Sequence, residues 1–248
     1  MKIIISPAKK MRIDRESYEV LQFPVFLEDA QKIASCMRDK SYEEAKEIWL
    51  CNDKIAEENY KRFQEMDLCK DLTPAVIAYE GIQYQYMAPQ VMDKKQVEYI
   101  KENLFILSGF YGILSAFDGV VPYRMEMQAK LAMGEKKDLY AYWGSRLYDK
   151  LKEKDRVFLN LASKEYSKCI EKYLQKEDIF VTCIFGEIVD GKVRQKGTMA
   201  KMARGEMVRK LALEQIVDIE NIKRLEVLDY VYSEQHSTKT KFVFLKKK

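Results

Sequence analysis

The amino-acid sequence predicts a single α/β domain in which a mostly internal, mixed sheet is flanked by helices. Short runs rich in β-branched residues alternate along the 248 residues with segments of helical periodicity. The pair Asp190-Gly191 is typical of a hairpin turn and predicts two antiparallel neighbours. Only 5 prolines and 10 glycines are present and they are scattered, so nothing marks a linker and we expect one domain over residues 1–248.

The predicted strands are short apolar or alternating runs. The first one, Lys2–Ile5, contains three isoleucines and is stopped by Ser6-Pro7, as expected of a buried strand that leads into a loop. Among the later ones, 157–161 and 179–189 are rich in β-branched residues. They cover residues 76–79, 83–86, 157–161, 179–189, 192–195 and 242–245.

The predicted helices rest on apolar residues that recur at three- and four-residue steps. In the segment 41–66, Ala45, Ile48 and Trp49 have this spacing, and Ser41 with Glu44 forms the capping box that begins a helix. The other segments show the same periodicity. The predicted helices cover residues 28–37, 41–66, 93–104, 138–151 and 199–217.

The composition is that of a globular protein. Apolar residues make up 47% of the chain and charged residues 33%, which is too apolar for a disordered chain and too charged for a bundle of membrane helices. No apolar run reaches the roughly 18 residues of a transmembrane helix, so we expect a cytoplasmic protein without a membrane partner. The five cysteines include no Cys-x-x-Cys pair, which favours reduced thiols.

The charges are unevenly distributed along the chain. The formal net charge is only +4, which does not by itself indicate a polyanionic partner. Residues 192–210, however, contain seven bases and one acid, Glu206, whereas residues 28–71 contain twelve acids and eight bases. We therefore expect an electrically two-sided molecule that holds an anionic ligand on one face.

Standard metal, nucleotide and hydrolase motifs are absent from the sequence. Its one histidine, His236, has no cysteine near it, and the surrounding residues are typical of a surface turn. A Walker loop, a Gly-x-Gly-x-x-Gly fingerprint and a Gly-x-Ser-x-Gly elbow are also missing. We therefore expect no metal site and no cofactor.

Two segments could bind an anion near the ends of predicted strands. Ser6 and Lys9 follow the first strand directly, and ligands of α/β sheets usually lie at the carboxyl ends of strands. In the segment 107–114, Gly109 and Gly112 flank Phe110-Tyr111 and could expose backbone N–H groups to a phosphate, as a helix-hairpin-helix element does. The same segment is equally compatible with a buried strand that ends in a glycine turn.

Three further segments carry polar side chains in patterns that a core does not need. Arg124 and Glu126 alternate with apolar residues, which predicts that both project from one strand face, either as an ion pair or as part of a site. Lys201 and Arg204 share one face of a predicted helix and match phosphate chemistry, although a run of charges is usually a solvated face. After the strand 157–161, polar groups gather where a strand changes to a helix, and Ser163 could simply cap that helix. These groups are Asn160, Ser163, Glu165 and Tyr166.

Taken together, seven motifs in order resemble the YaaA family of peroxide-stress proteins. They are ISPAK (5–9), YEGIQY (79–84), LSGFYGIL (107–114), PYRMEM (122–127), DLYAYWG (138–144), NLASKEY (160–166) and AKMARG (200–205). At Glu80 and Tyr86 the sequence departs from the lysine and glycine that the family often has.

The resemblance carries expectations about structure and function. It implies an unusual, family-specific α/β fold with a positively charged cleft and a helix-hairpin-helix element. It also implies binding to duplex or branched DNA in the response to hydrogen peroxide, and reduced iron-dependent damage. The residues by themselves indicate an anion-binding cleft and do not distinguish DNA from a smaller phosphate ligand.

DNA binding is the function that we favour, because no recognised catalytic constellation is present. It requires positive charge, exposed amides and contacts to phosphates rather than to base edges. The candidate DNA- or anion-binding residues are Ser6, Lys9, Gly109, Tyr111, Gly112, Arg124, Asn160, Ser163, Lys201 and Arg204.

The alternative is an enzyme that acts on a nucleotide or nucleic-acid phosphate in the same cleft. It would need titratable groups in fixed geometry within a concave site. The candidate catalytic residues are Glu126, Arg124, Tyr84 and Tyr166, with Asn160 and Ser163 in support. A deep polar pocket would favour this alternative, and a long open groove would favour DNA.

Overall fold

The computed structural model describes residues 1–153 and 155–247. The strands, numbered in chain order, are β1 (Lys2–Ile5), β2 (Lys10–Met11), β3 (Thr73–Pro74), β4 (Tyr79–Glu80), β5 (Leu104–Ser108), β6 (Gly112–Ser115), β7 (Gly119–Val120), β8 (Val157–Leu161), β9 (Ile179–Val189), β10 (Lys192–Arg194), β11 (Tyr230–Tyr232) and β12 (Lys241–Lys246). The α-helices are α1 (Leu27–Arg38), α2 (Tyr42–Trp49), α3 (Asp53–Glu65), α4 (Ala75–Ala78), α5 (Ile82–Met87), α6 (Lys94–Asn103), α7 (Leu139–Trp143), α8 (Arg146–Lys152), α9 (Lys164–Glu171) and α10 (Gly197–Leu213). Short 3₁₀ helices cover Pro89–Val91, Ile219–Arg224 and Glu234–His236.

The main sheet is mixed and mostly parallel, which confirms the predicted fold class. Its strand order is β11-β12-β9-β8-β1-β5-β6, with β10 paired to β9. The pairs β1–β5, β1–β8, β8–β9 and β9–β12 are parallel, whereas β5–β6, β9–β10 and β11–β12 are antiparallel. Helices cover the parallel strands because a parallel sheet is apolar on both faces.

The strand β1 lies inside the sheet because its side chains are apolar on both faces. Ile3, Ile4 and Ile5 are fully buried, and β5 and β8 pair with β1 on either side. The chain thus leaves β1 for one neighbour and later returns to the other. In open α/β sheets, ligands bind outside the carboxyl ends of the strands at such a switch point.

Two predicted strands are helical in the structure. Residues 76–79 belong mostly to α4, and residues 83–86 lie in α5. The run Ala75–Ala78 is entirely buried, and a short apolar run without polar alternation fits a buried helix as well as a strand. Helix α5 begins after Gly81 and ends at Ala88, whose φ of 49° is left-handed.

Two long predicted helices are each divided in two. Residues 41–66 form α2 and α3, because Leu50 adopts a left-handed conformation and Asn52 caps the next helix by accepting from Ile55 N. Residues 138–151 form α7 and α8, which Gly144 separates with a φ of 55°. Periodicity predicted the helical segments but not these interruptions.

The segment with Gly109 and Gly112 is a strand, a turn and a strand. Antiparallel strands β5 and β6 pair Leu107 with Ile113, and Ser108 with Gly112. Helix α6 precedes the segment, but a strand and not a helix follows the turn. The helix-hairpin-helix interpretation of this segment is therefore wrong, because its apolar residues are buried in the sheet rather than along a helix face.

No helix within residues 1–153 and 155–247 is both long enough and apolar enough to span a membrane.

Candidate functional site: a charged cleft at the end of the sheet

A cleft with a volume of about 380 Å³ lies beside the carboxyl ends of β1 and β8. The loop after β1, the start of α9, the segment 123–126, the residues around α5 and the helix α10 form its walls. The cleft is lined by Ser6, Pro7, Ala8, Lys9, Lys10, Glu80, Gly81, Ile82, Gln83, Tyr84, Tyr123, Arg124, Met125, Glu126, Ser163, Glu165, Tyr166, Lys201 and Arg204.

Two serines join the loop after β1 to the start of α9. Ser163 N donates to Ser6 Oγ over 2.8 Å, and Ser6 Oγ donates to Ser163 Oγ over 3.3 Å. Ser163 is the N-cap residue of α9, but its side chain caps no backbone N–H of that helix. Tyr84 OH donates to the backbone oxygen of Ser6 over 3.0 Å, which ties α5 to the same loop. The three residues hold the cleft walls together.

Glu126 forms ion pairs with two cations of the cleft. Lys9 Nζ lies 2.8 Å from Glu126 Oε1, and Arg124 Nη2 lies 3.1 Å from the same oxygen. Arg124 and Glu126 do face one way as predicted, although residues 121–126 form no strand. Instead, the buried Asn59 fixes the backbone, because its side chain accepts from Arg124 N and donates to Arg124 O, each over 2.9 Å.

A second carboxyl group, Glu165, lies in a different environment. It accepts from Gln128 N over 3.3 Å, and no ion pair to it is formed within the described residues. Burial raises the pKa of Glu165, the N–H of Gln128 lowers it, and the negative charge of Glu126 raises it further. Of these two carboxylates, Glu126 has two ion-pair partners and Glu165 has none among the described residues.

Helix α10 supplies two cations to the cleft. Lys201 and Arg204 are one turn apart, and neither forms an ion pair with a carboxylate in the part of the chain that the structure describes. Arg204 is half-buried, and its Nε atom is buried without a hydrogen-bond partner. Arg124 Nε is buried without a partner as well. Burial lowers the pKa of Arg204, but a guanidinium stays protonated at neutral pH.

Buried tyrosines form the base of the cleft. Tyr123 OH is 2.7 Å from Tyr79 OH and 2.5 Å from Ser108 Oγ, and Ser108 Oγ also accepts from the backbone N–H groups of Phe110 and Tyr111. Burial raises the pKa of Tyr123 to about 12, so the phenol stays protonated at neutral pH. This network is a rigid, neutral support and not a set of exposed reactive groups.

Several predicted site residues are buried and do not line the cleft. Gly109, Tyr111 and Gly112 are buried. A Cβ on Gly109 would lie 2.7 Å from Met125 O, so this glycine lets the segment with Arg124 and Glu126 pack closely.

Asn160 is also structural. It is buried, its Nδ2 donates to Thr182 Oγ1 over 3.1 Å, and its Oδ1 accepts from Ala162 N over 2.9 Å. Both ends of the side chain therefore brace the sheet and the turn into α9. The other predicted site residues do line the cleft: Ser6, Lys9, Tyr84, Arg124, Glu126, Ser163, Tyr166, Lys201 and Arg204.

The cleft contains residues that were not predicted as binding or catalytic candidates. Glu165 was recognised only as one of the polar groups that gather after the strand 157–161, and it lies in the first turn of α9, two residues after Ser163. Lys10 and Gln83 also line the cleft. Asn59 carries no such signal, because it contacts Arg124 across 65 positions in the chain.

Metal-ligating side chains do not cluster in the described residues. No group of three or more His, Cys, Asp or Glu side chains that could hold a metal ion occurs within residues 1–153 and 155–247. His236 Nδ1 instead contacts Ser233 Oγ over 2.8 Å. The five cysteines are free thiols, and burial raises the pKa of Cys169 and of Cys183 to about 12.

Comparison with known proteins places the whole chain in one family. A family model described as "Peroxide stress protein YaaA" matches residues 1–236. A UPF0246 protein of Lachnoclostridium phytofermentans is 54% identical over 99% of this chain and 96% of its own length. A UPF0246 protein of Pediococcus pentosaceus is 52% identical over 99% of this chain and 98% of its own length. The resemblance inferred from the seven motifs is thereby confirmed, and the chain belongs to the YaaA family of peroxide stress proteins.

Proposed function

We propose that this protein binds DNA, duplex or branched, through its phosphate groups at the cleft during the cytoplasmic response to hydrogen peroxide. The observation that carries the proposal is the pair of α10 cations, Lys201 and Arg204, which line the cleft without a carboxylate partner among the described residues. Lys9 and Arg124, by contrast, share the single negative charge of Glu126. An unneutralised cationic wall attracts phosphates and carries no information about base sequence.

The proposal includes a protective role against iron-dependent damage. Membership in a family of peroxide stress proteins supports a role in peroxide stress, and occupied DNA is shielded from oxidants formed beside it. We therefore expect cells that lack the protein to accumulate more DNA strand breaks in peroxide, and an iron chelator to reduce the difference. A strand-break count that is equal with and without the protein would contradict this role.

The DNA-binding proposal is tested by salt dependence. Fluorescence anisotropy with duplexes of unrelated sequence, at two ionic strengths, measures the binding constant and the slope of its logarithm against the logarithm of the salt concentration. We expect similar affinities for all sequences and a steep loss of affinity with salt, since each phosphate contact contributes about −0.9 to this slope. Lys201→Ala should make this slope shallower by about 1, whereas Lys239→Ala, an exposed lysine that does not line the cleft, should not. Strong preference for one sequence, or indifference to salt, would contradict the proposal.

The second candidate function is an enzyme that acts on a nucleotide or nucleic-acid phosphate in the same cleft. It is favoured by the contrast between Glu126, held by two cations, and Glu165, whose pKa is raised by burial. Two carboxyl groups in such different environments are the usual pairing of a base with an acid. The cleft is also a partly enclosed pocket of about 380 Å³.

The enzyme candidate is tested by an isosteric change. The wild type is incubated with nucleotides and with nicked, branched or oxidised DNA, and the products are separated by chromatography. If Glu165 donates a proton in the reaction, Glu165→Gln should retain the fold and the ligand but lose turnover. Absence of turnover across the panel would remove the support for this candidate and leave DNA binding in place.

A further inference from the structure

We infer that the interior of the cleft takes up one nucleotide unit at a time, either a free nucleoside monophosphate or an unpaired nucleotide of a DNA strand, while paired duplex stays outside. The inference rests on the proposed function, because it assumes that the cleft binds nucleic-acid phosphates. It adds that a single nucleotide is the unit that enters the cleft.

The size of the cleft is the first reason. Its volume of about 380 Å³ lies within the range of roughly 300–1,000 Å³ that is usual for small-molecule sites. A B-DNA duplex is too wide for such a cavity, since its major groove alone is about 12 Å across. A single nucleotide that has left the base stack fits, and extrusion of one nucleotide costs only a few kcal/mol.

The position of the cations is the second reason. Arg204 has a buried Nε atom without a hydrogen-bond partner, so part of its guanidinium lies below the protein surface. A phosphate must enter the cavity to reach that group. The phosphates of an intact duplex remain on the outside of the helix, so they contact exposed cations such as Lys10 and Lys201 and are attracted by Arg204 only from a distance. The depth of Arg204 therefore selects a phosphate that can leave the duplex surface.

The mixed lining of the cleft is the third reason. Pro7, Ala8 and Ile82 are half-buried and contribute apolar surface against which a base can pack. Glu165, which forms no ion pair among the described residues, is a hydrogen-bond acceptor and matches the amino and N–H groups of bases or the hydroxyl of a sugar. A phosphate without a nucleoside has no donor for this carboxylate and can use the cations alone. A nucleotide can use the cations with its phosphate and the carboxylate of Glu165 with its donors.

Competition binding tests the inference with the full chain. The probe is a fluorescent single-stranded oligonucleotide with a 5′-phosphate, and the competitors are the four deoxynucleoside monophosphates, the deoxynucleosides, inorganic phosphate and closed circular duplex DNA. We expect a mononucleotide to compete at least about tenfold better than its nucleoside or inorganic phosphate, because only it uses both parts of the cleft. An open strand end should compete better than closed circular duplex at equal nucleotide concentration.

Variants locate the binding site. Arg204→Gln should weaken mononucleotide binding about tenfold or more, and Lys239→Gln should leave it within about twofold. If Arg204→Gln does not fold, Lys201→Gln provides the exposed alternative on the same wall and should weaken mononucleotide binding severalfold.

The outcomes separate the inference from the proposed function. Binding of closed circular duplex without competition by mononucleotides would overturn the inference and leave DNA binding intact. Equal competition by inorganic phosphate and mononucleotides would also overturn it, because the site would then recognise phosphate alone. If neither the oligonucleotide nor the duplex binds, the proposed function fails and the inference fails with it.

Discussion

Gly205 of α10 lies against Gln83 of α5 so closely that a Cβ at position 205 would stand 2.0 Å from the Gln83 backbone oxygen. Both helices contribute residues to the cleft. Arg204, which precedes Gly205, and Tyr84, which follows Gln83, line it. The absence of a side chain at position 205 therefore sets the distance between α10 and α5. It links the packing of the fold directly to the geometry of the cleft.

Gly205→Ala should lower the free energy of unfolding by about 1–3 kcal/mol and weaken ligand binding in the cleft. The added methyl group meets backbone, which cannot move aside as the end of a flexible side chain can. Thermal and urea unfolding measure the loss. The matched control is Gly197→Ala in the same helix, where a Cβ would meet nothing within 4 Å. Equal stabilities for the two variants would show that the helices can separate without cost.

Tyr123→Phe should destabilise the protein by about 1–3 kcal/mol. The change removes the hydroxyl that contacts Tyr79 and Ser108, and a buried polar group left without a partner costs about this much. The double variant Tyr79→Phe/Tyr123→Phe removes the stranded hydroxyl of Tyr79 too. We expect it to be less destabilised than the sum of the single variants, and a double-mutant cycle measures this difference. Strict additivity would mean that the two hydroxyls do not interact.

Asp118 should make stability depend on pH in an unusual direction. Burial raises its pKa from 3.8 to about 6, although Gln22 and the backbone of Ser115 donate to it. The folded state therefore favours the protonated form, and its stability falls as pH rises from about 4 to about 6. The shift corresponds to about 3 kcal/mol.

The measurement compares the wild type with Asp118→Asn between pH 5 and pH 8, because titrations common to both proteins cancel in the difference. As pH falls from 8 to 5, the melting temperature of the wild type should rise relative to that of the variant. A difference that is constant with pH would show that Asp118 remains ionised in the fold.

Three strands can be recognised from neighbouring residues alone, and the sequence predicted them with their observed bounds. Lys2–Ile5, Val157–Leu161 and Ile179–Val189 are apolar, β-branched-rich runs whose ends are marked by polar or turn residues, so neighbouring residues suffice to recognise them. Ala75–Ala78 has no such contrast along the chain. Its helical state depends on burial by distant segments, which periodicity does not report.

The candidate site likewise contains some residues that local sequence predicted and others that depend on tertiary packing. Ser6 and Ser163 were predicted as site residues because both follow strands, and the parallel pairing of β1 with β8 brings them into contact. The burial of Gly109 was not predictable from the residues alone, because it depends on how the segment with Met125 packs over it. Likewise, the sequence could not tell which cations would find a carboxylate. That difference between Lys9 and Arg204 arises only when the chain is folded.

Glu126→Gln should strengthen DNA binding rather than weaken it. The substitution keeps the shape of the side chain but removes the one negative charge that Lys9 and Arg124 share. With both cations free for phosphates, we expect the affinity at low salt to rise severalfold and the salt slope to become steeper by about 1–2. Anisotropy titrations at several salt concentrations measure both quantities. The control is Glu135→Gln, an exposed carboxylate that does not line the cleft, which removes the same charge from the protein as a whole.

The two candidate functions differ in what they predict for this variant. If Glu126 serves only as a counter-ion, binding improves and any turnover of the wild type persists in Glu126→Gln. If Glu126 is the base of an acid–base pair with Glu165, binding improves as well but turnover is lost, because the amide cannot accept the proton. Weaker binding in Glu126→Gln would contradict both, since it would mean that the carboxylate orients Lys9 and Arg124 toward the ligand instead of competing with it for their charge.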